Sequence, residues 1–205
     1  MPAIVATPAG FTVEGASPEL LLDLLDRFAD VTARLGAPID DYLQPGISAA
    51  QVEDALGAIG LVPPAELVAW WGWRNGVIPG RELPVSLDLR PLEMTMVLYE
   101  RQLFGTSRWE WHRSWIPILG NHPDGIAVDC SAPPNEPPLV RAVSGYVGTH
   151  PDDTKHQVVS LCTPVAWWLI ARERGWTRLA RDGGFWEPER GSFPPEWWEV
   201  ELAHS

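Results

Sequence analysis

The stretch at residues 60–80, GLVPPAELVAWWGWRNGVIPG, constrains the fold of this chain more than any other. Pro64 suits the first turn of a helix, where its missing N–H has no partner to lose, and Glu66 sets a negative charge at the positive end of the helix dipole. Leu67, Trp70, Trp71 and Arg74 recur at i, i+3, i+4 and i+7, which predicts a helix with one large aromatic stripe. Asn75 and Gly76 tolerate the left-handed conformation and are expected to end it. So short a helix is held by its apolar face and not by propensity, so the fold must bury that stripe.

The other elements follow from their own punctuation. Residues 1–16 show no period and read as a loose lead-in to one domain over residues 17–205. Ser17 and Pro18 start a helix with Leu21, Leu22, Leu24, Leu25, Phe28 and Val31 on its broad apolar face, and Gly36 and Pro38 end it. Ser48 and Gln51 have the spacing of a capping box, which starts a second helix that buries Val52, Ala55, Leu56 and Ile59. Three helices are thus expected before any strong strand. Residues 85–90 alternate as a short strand, Pro91 opens a helix that runs to Gly105, and residues 107–114 fit an exposed loop or an edge strand, the loop being the expectation.

From Trp115 the period changes to two. Residues 115–119 and 126–130 predict an antiparallel hairpin joined across residues 121–125. The proline-rich segment 131–138 is expected to bulge out before residues 139–143 resume pairing, with a further strand at 146–149. A polar loop, a short strand at 158–161 and a helix capped by Thr163 and Pro164 complete the pattern. Helices first and strands after them make an α+β domain, with N-terminal helices packed on a mainly antiparallel sheet.

Composition narrows the function. With 45% hydrophobic and 20% charged residues in 205, the chain has a core, and its longest apolar runs fall short of the roughly 18 residues that span a bilayer. A cytoplasmic protein with no membrane partner is expected. Cys130 and Cys162, the only two cysteines, sit in apolar strand-like sequence and read as buried free thiols. The net charge of −12 argues against binding a nucleic acid and suits a basic protein partner, although solubility alone also accounts for it.

No nucleophile elbow, glycine-rich phosphate loop or cysteine knuckle occurs, so no catalytic residue and no cofactor is expected. His150, Asp152, Asp153 and His156 are residue types that bind a divalent metal, but no helical or strand period fixes their directions, and a solvated loop is the expectation. His122, Asp124 and Asp129 form a second cluster, in which Asp124-Gly125 reads as turn chemistry and Asp129 as a strand-end group. All twelve tryptophans lie from Trp70 onward. In the pairs Trp70-Trp71, Trp167-Trp168 and Trp197-Trp198, one ring is expected in the core and the other at its margin. Trp109, Trp111, Trp186 and Trp197, together with Glu136, Asp152 and Asp153, are the candidate partner contacts.

Val62-Pro63 before the helix, Trp70, Trp71 and then Asn75-Gly76 resemble the N-terminal signature of the SUKH superfamily (the Smi-Knr domain), in which Leu-Pro is usual. Trp115 and Pro117, then Asp124, Gly125 and Asp129, are similar to that family's tryptophan-proline strand, its Asp-Gly turn and the next strand. The resemblance covers residues 48–175. It implies a curved antiparallel sheet and a non-catalytic immunity protein that neutralises a cognate secreted toxin, in this family often a nuclease. A regulatory interaction module and a small metal-dependent hydrolase are the alternatives. No bound metal is expected, so elemental analysis of protein purified without chelator should find no stoichiometric transition metal; finding one would favour the hydrolase.

Overall fold

The computed structural model describes residues 2–79, 89–104, 111–120, 125–143, 157–179 and 186–188. The chain begins with a hairpin, which corrects the expected loose lead-in over residues 1–16. Strand β1 (Ile4–Thr7) pairs antiparallel with β2 (Gly10–Val13), Ile4 opposite Val13 and Thr7 opposite Gly10. Both runs are too short to display a period, and the turn supplies what the pattern lacks. Thr7 Oγ1 donates to the Gly10 carbonyl at 2.6 Å and accepts from the Ala9 N–H, and Gly10 takes a φ of 117°, open to a residue without Cβ.

Helix α1 (Pro18–Arg34) starts as its sequence demands, with the Ser17 side chain accepting from the Leu20 N–H at 3.2 Å. A 3₁₀ turn at Ile39–Tyr42 leads into β3 (Leu43–Pro45), and the Ser48–Gln51 capping box then opens α2 (Ala49–Gly57). Three strands therefore precede the aromatic helix α3 (Ala65–Trp73), not three helices alone. Pro64 stands at its N-cap, one place before the expected first turn.

The end of α3 differs from the expectation in an instructive way. Arg74 leaves the stripe with an extended φ of −150° and starts β4 (Arg74–Val77), which pairs with β3. Asn75-Gly76 therefore lies inside a strand and does not close the helix behind it. It starts the helix ahead: Asn75 Oδ1 accepts from the Leu92 N–H at 2.9 Å at the head of α4 (Leu92–Phe104). Gly76 has a φ of 75°, and a Cβ there would stand 2.2 Å from the Pro91 nitrogen, so the crossing of β4 over this helix start requires glycine.

Strands β5 (Trp115–Leu119), β6 (Gly125–Asp129) and β7 (Leu139–Val143) form the expected antiparallel meander, with Trp115 opposite Asp129 and Asp129 opposite Leu139. Strand β8 (Gln157–Val159) pairs with β7 and is placed beside β2 in parallel, which gives one open mixed sheet of order β1-β2-β8-β7-β6-β5. The strand ends at Ser160, where φ is 72°, and α5 (Cys162–Glu173) begins at once. Thr163 is inside that helix and donates back to the Val159 carbonyl, so it is not the cap that the sequence suggests. A last hairpin pairs β9 (Thr177–Leu179) with β10 (Trp186–Pro188). The expected strand at 146–149 and all of the strand at 85–90 except Leu89 and Arg90 lie outside the described residues.

Helix α1 packs on both α3 and α5, and α5 packs on β2, so α5 runs between a helix layer and the sheet. The structure corrects the expectation of one tryptophan at the margin for two of the three pairs, and Trp197-Trp198 lies outside the described residues. Trp70 and Trp71 are 2% and 0% exposed, and Trp167 and Trp168 are 0% and 2%. A helix covered on opposite sides has no margin to spare, and a residue pair i, i+1 fills both interfaces. Cys130 and Cys162 are buried free thiols. Replacing Trp71 by Ala should destabilise the protein by about 3 to 5 kcal/mol, read as a lowered urea midpoint; a midpoint equal to that of the parent would refute its place as a core anchor.

Candidate partner-binding surface

Buried carboxyls are where acid–base chemistry would reside, and among the described residues two, Asp129 and Glu66, are buried, each in a hydrogen-bonded network. Asp129 ends β6 opposite Trp115, and its carboxylate accepts from Ser114 Oγ at 2.6 Å, the Ser131 N–H at 3.0 Å and Trp115 Nε1 at 3.2 Å. Arg141 stands diagonally across the β6–β7 pair, its Nε 3.8 Å from Asp129 and its guanidinium 5.1 Å from the centre of the Trp115 ring. Burial pushes the Asp129 carboxyl up, but the bonds from Ser114, Ser131 and Trp115 together outweigh it and hold it below its ordinary value.

His112 Nδ1 lies 2.7 Å from Ser114 Oγ, so histidine, serine and aspartate meet here in a row. The order is wrong for a nucleophile. A catalytic serine gives its proton to the imidazole, whereas the Ser114 hydroxyl is directed at Asp129 and is buried beneath the strand end. The network fastens the start of β5 to the end of β6. The expected partners of Asp129 in a polar cluster, His122 and Asp124, lie outside the described residues.

The second network was hidden from sequence. Glu66, read above as a charge at a helix start, is 3% exposed; its two oxygens accept from Ser160 Oγ at 2.8 Å and the Leu161 N–H at 2.7 Å. The Ser160 hydroxyl oxygen in turn accepts from the Cys162 N–H, so one carboxylate ties α3 to the head of α5. Desolvation raises the Glu66 carboxyl above its ordinary value against those two bonds. Burial also pushes the Cys162 thiol up to about 11 and the Cys130 thiol up to about 12, which leaves both as unreactive neutral groups. Among the described residues no group of three or more His, Cys, Asp or Glu side chains could hold a metal ion.

The candidate contacts separate. Glu136 is exposed, on the loop at residues 131–138. Trp111 is half-buried: its Nε1 donates to the Trp115 carbonyl at 3.0 Å and its ring meets the Trp115 ring edge-on at 5.9 Å, so it braces β5 and is no open anchor. Trp186 is in β10. Trp109, Asp152, Asp153 and Trp197, and the possible metal ligands His150 and His156, lie outside the described residues.

The loop that carries Glu136 is anchored to other elements at two points and braced by one turn of its own. The Ala65 N–H donates to the Pro134 carbonyl at 2.9 Å, the Ser160 N–H to the Pro138 carbonyl at 2.7 Å and the Glu136 N–H to the Pro133 carbonyl at 3.0 Å. The first bond satisfies an N–H at the start of α3 and sets the loop against the α2–α3 junction. An open groove of about 520 Å³ runs between them, lined by Glu53, Gly57, Leu61, Val62, Pro63, Ala65, Val68, Pro134 and Asn135. Val62 is 61% exposed, the most exposed large apolar residue described.

The two carboxyls should titrate stability in opposite directions. Glu66, raised in the folded state, binds a proton that the unfolded chain has lost, so its contribution falls as pH rises from its ordinary 4.5 through the folded value. Asp129, lowered, contributes above its ordinary 3.8 and loses that contribution as pH falls through the folded value. Urea unfolding of Glu66→Gln and Asp129→Asn over a pH series should therefore give differences from the parent with opposite slopes; parallel slopes would contradict the assignment.

No family model matches this sequence, and no match to a curated protein was found.

Proposed function

We propose that this chain is a non-catalytic immunity protein that acts in the cytoplasm and neutralises a basic secreted bacterial toxin by covering its working surface. The distribution of charge carries the reading. No lysine or arginine occurs from residue 35 to residue 73 or from residue 114 to residue 140, and these two segments frame the groove. With a net charge of −12, the surface they build favours encounter with a cationic protein.

The roles of the family-like motif residues support it. Trp70 and Trp71 fill the core, Asn75 and Gly76 seat the start of α4, and Trp115 with Asp129 locks a strand pair. Residues with such duties maintain a scaffold, and recognition then falls to the loops and junctions between them. Both hydrogen-bonded networks that contain buried carboxyls spend their polar atoms on backbone and strand ends, which favours binding over catalysis.

The test is association of the purified chain with the toxin domain encoded beside its gene. The association rate should fall at least tenfold between low and physiological salt, with a much smaller change in dissociation. A rate indifferent to salt would remove the electrostatic part of the proposal, and no binding to a neighbouring toxin would count against the immunity role.

A further inference from the structure

We propose that the groove between the α2–α3 junction and the 131–138 loop is the docking site for a segment of the basic partner, an apolar side chain of that segment resting on Val62 and a flanking lysine or arginine pairing with Glu53. The inference rests on the immunity reading for the partner's identity, but its geometry stands on its own observations.

The groove floor is apolar. Leu61, Pro63 and Val68 line it, and Val62 presents most of its side chain to solvent at the mouth. Exposure of a β-branched side chain on a rigid junction contributes nothing to folding, whereas covering it on association stabilises a complex. The walls are stiff. Pro63 and Pro64 fix one side, Pro133 and Pro134 the other, and the Ala65 to Pro134 hydrogen bond joins the two, so little backbone freedom remains to be lost on binding.

The charge at the groove selects the occupant. Glu53 lines it, Asp54 is exposed beside it on α2, and Glu136 is exposed on the loop one residue after the lining Asn135. No cation is present in either framing segment to neutralise them. An acidic segment, or a second copy of this acidic chain, would meet like charge on both sides, and an uncharged apolar molecule would leave the carboxylates unanswered. A segment that combines an apolar side chain with a cation satisfies both features at once.

Two experiments test this, and they fail separately from the immunity reading. In the first, the full chain labelled with ¹⁵N is titrated with a synthetic decapeptide of alternating leucine and lysine, and with its leucine and glutamate counterpart. The lysine peptide should shift the amides of Gly57, Val62 and Ala65, the glutamate peptide should not, and Val62→Asp should abolish the shifts while leaving the thermal melt unchanged. In the second, affinity for the neighbouring toxin should fall at least tenfold in Val62→Asp and in Glu53→Lys, and less than twofold in the control Asp23→Lys, at an exposed position of α1. Toxin binding that ignores Val62→Asp and Glu53→Lys would overturn the docking site while leaving the immunity role intact. Lysine-peptide shifts absent from the groove, equal shifts with both peptides, or a dimer that Val62→Asp dissociates would overturn the proposal whether or not a toxin binds.

Discussion

Trp71 is the point on which three parts of the structure depend. Its ring is fully buried, its Nε1 donates to the Arg90 carbonyl at 3.1 Å, and its own carbonyl accepts from the Ile47 N–H at 3.0 Å. One residue thus fixes the helix that carries it, the backbone just before α4 and the backbone that enters α2. The close approach to α2 has a steric condition. A Cβ on Gly46 would stand 1.8 Å from the Gly72 carbonyl oxygen, so the chain before α2 passes α3 with no room for a side chain. Tryptophan suits the site because it fills a large volume and still answers a carbonyl that no helix or strand satisfies.

Around this anchor, buried polar side chains set register where apolar packing cannot. Leu and Val packing tolerates small sliding of helix on helix, but the Glu66 carboxylate accepts two bonds only when α3 and the head of α5 are in one relative position. Asp129 does the same for the sheet, since its three donors come from both strands at one end of the β5–β6 pair. At neutral pH the raised Glu66 carboxyl costs stability and the lowered Asp129 carboxyl contributes it. The first is retained for position more than for energy, in line with the use of buried ionic groups to specify arrangement.

How much of this was legible depended on whether the cause was local. The capping box at Ser48 and the Ser17 cap are complete within four residues, and both helices start as the sequence predicts. The meander of β5, β6 and β7 was legible because short, mainly apolar runs rich in Val and Ile are bounded there by glycine, proline and asparagine turns. The hairpin of β1 and β2 escaped because its stability comes from a partner 147 residues away, Phe11 lying opposite Val158. Asn75-Gly76 was misread as a helix stop because the same chemistry serves a helix start contributed by Leu92. At the candidate surface, Glu136 was found and Val62 was not: Glu136 is a charge in a proline-rich loop, whereas exposure of Val62 follows from the tertiary placement of a loop some 70 residues later.

The arrangement also separates what varies from what cannot. A change at Asn75, Gly76 or Asp129 would remove a helix cap, force a clash or strand a buried partner, each a cost set inside the fold. A change at Val62, Glu53 or Glu136 meets only solvent, because their side chains are exposed or line an open groove. In the proposed complex, charge spread over two cation-free segments would govern how often the cationic partner arrives, and the apolar groove how long it stays. Those two quantities can then be adjusted to a changing partner by substitutions that leave Trp71, Glu66 and Asp129 undisturbed, which is the physical requirement for a binding protein built on an unchanging core.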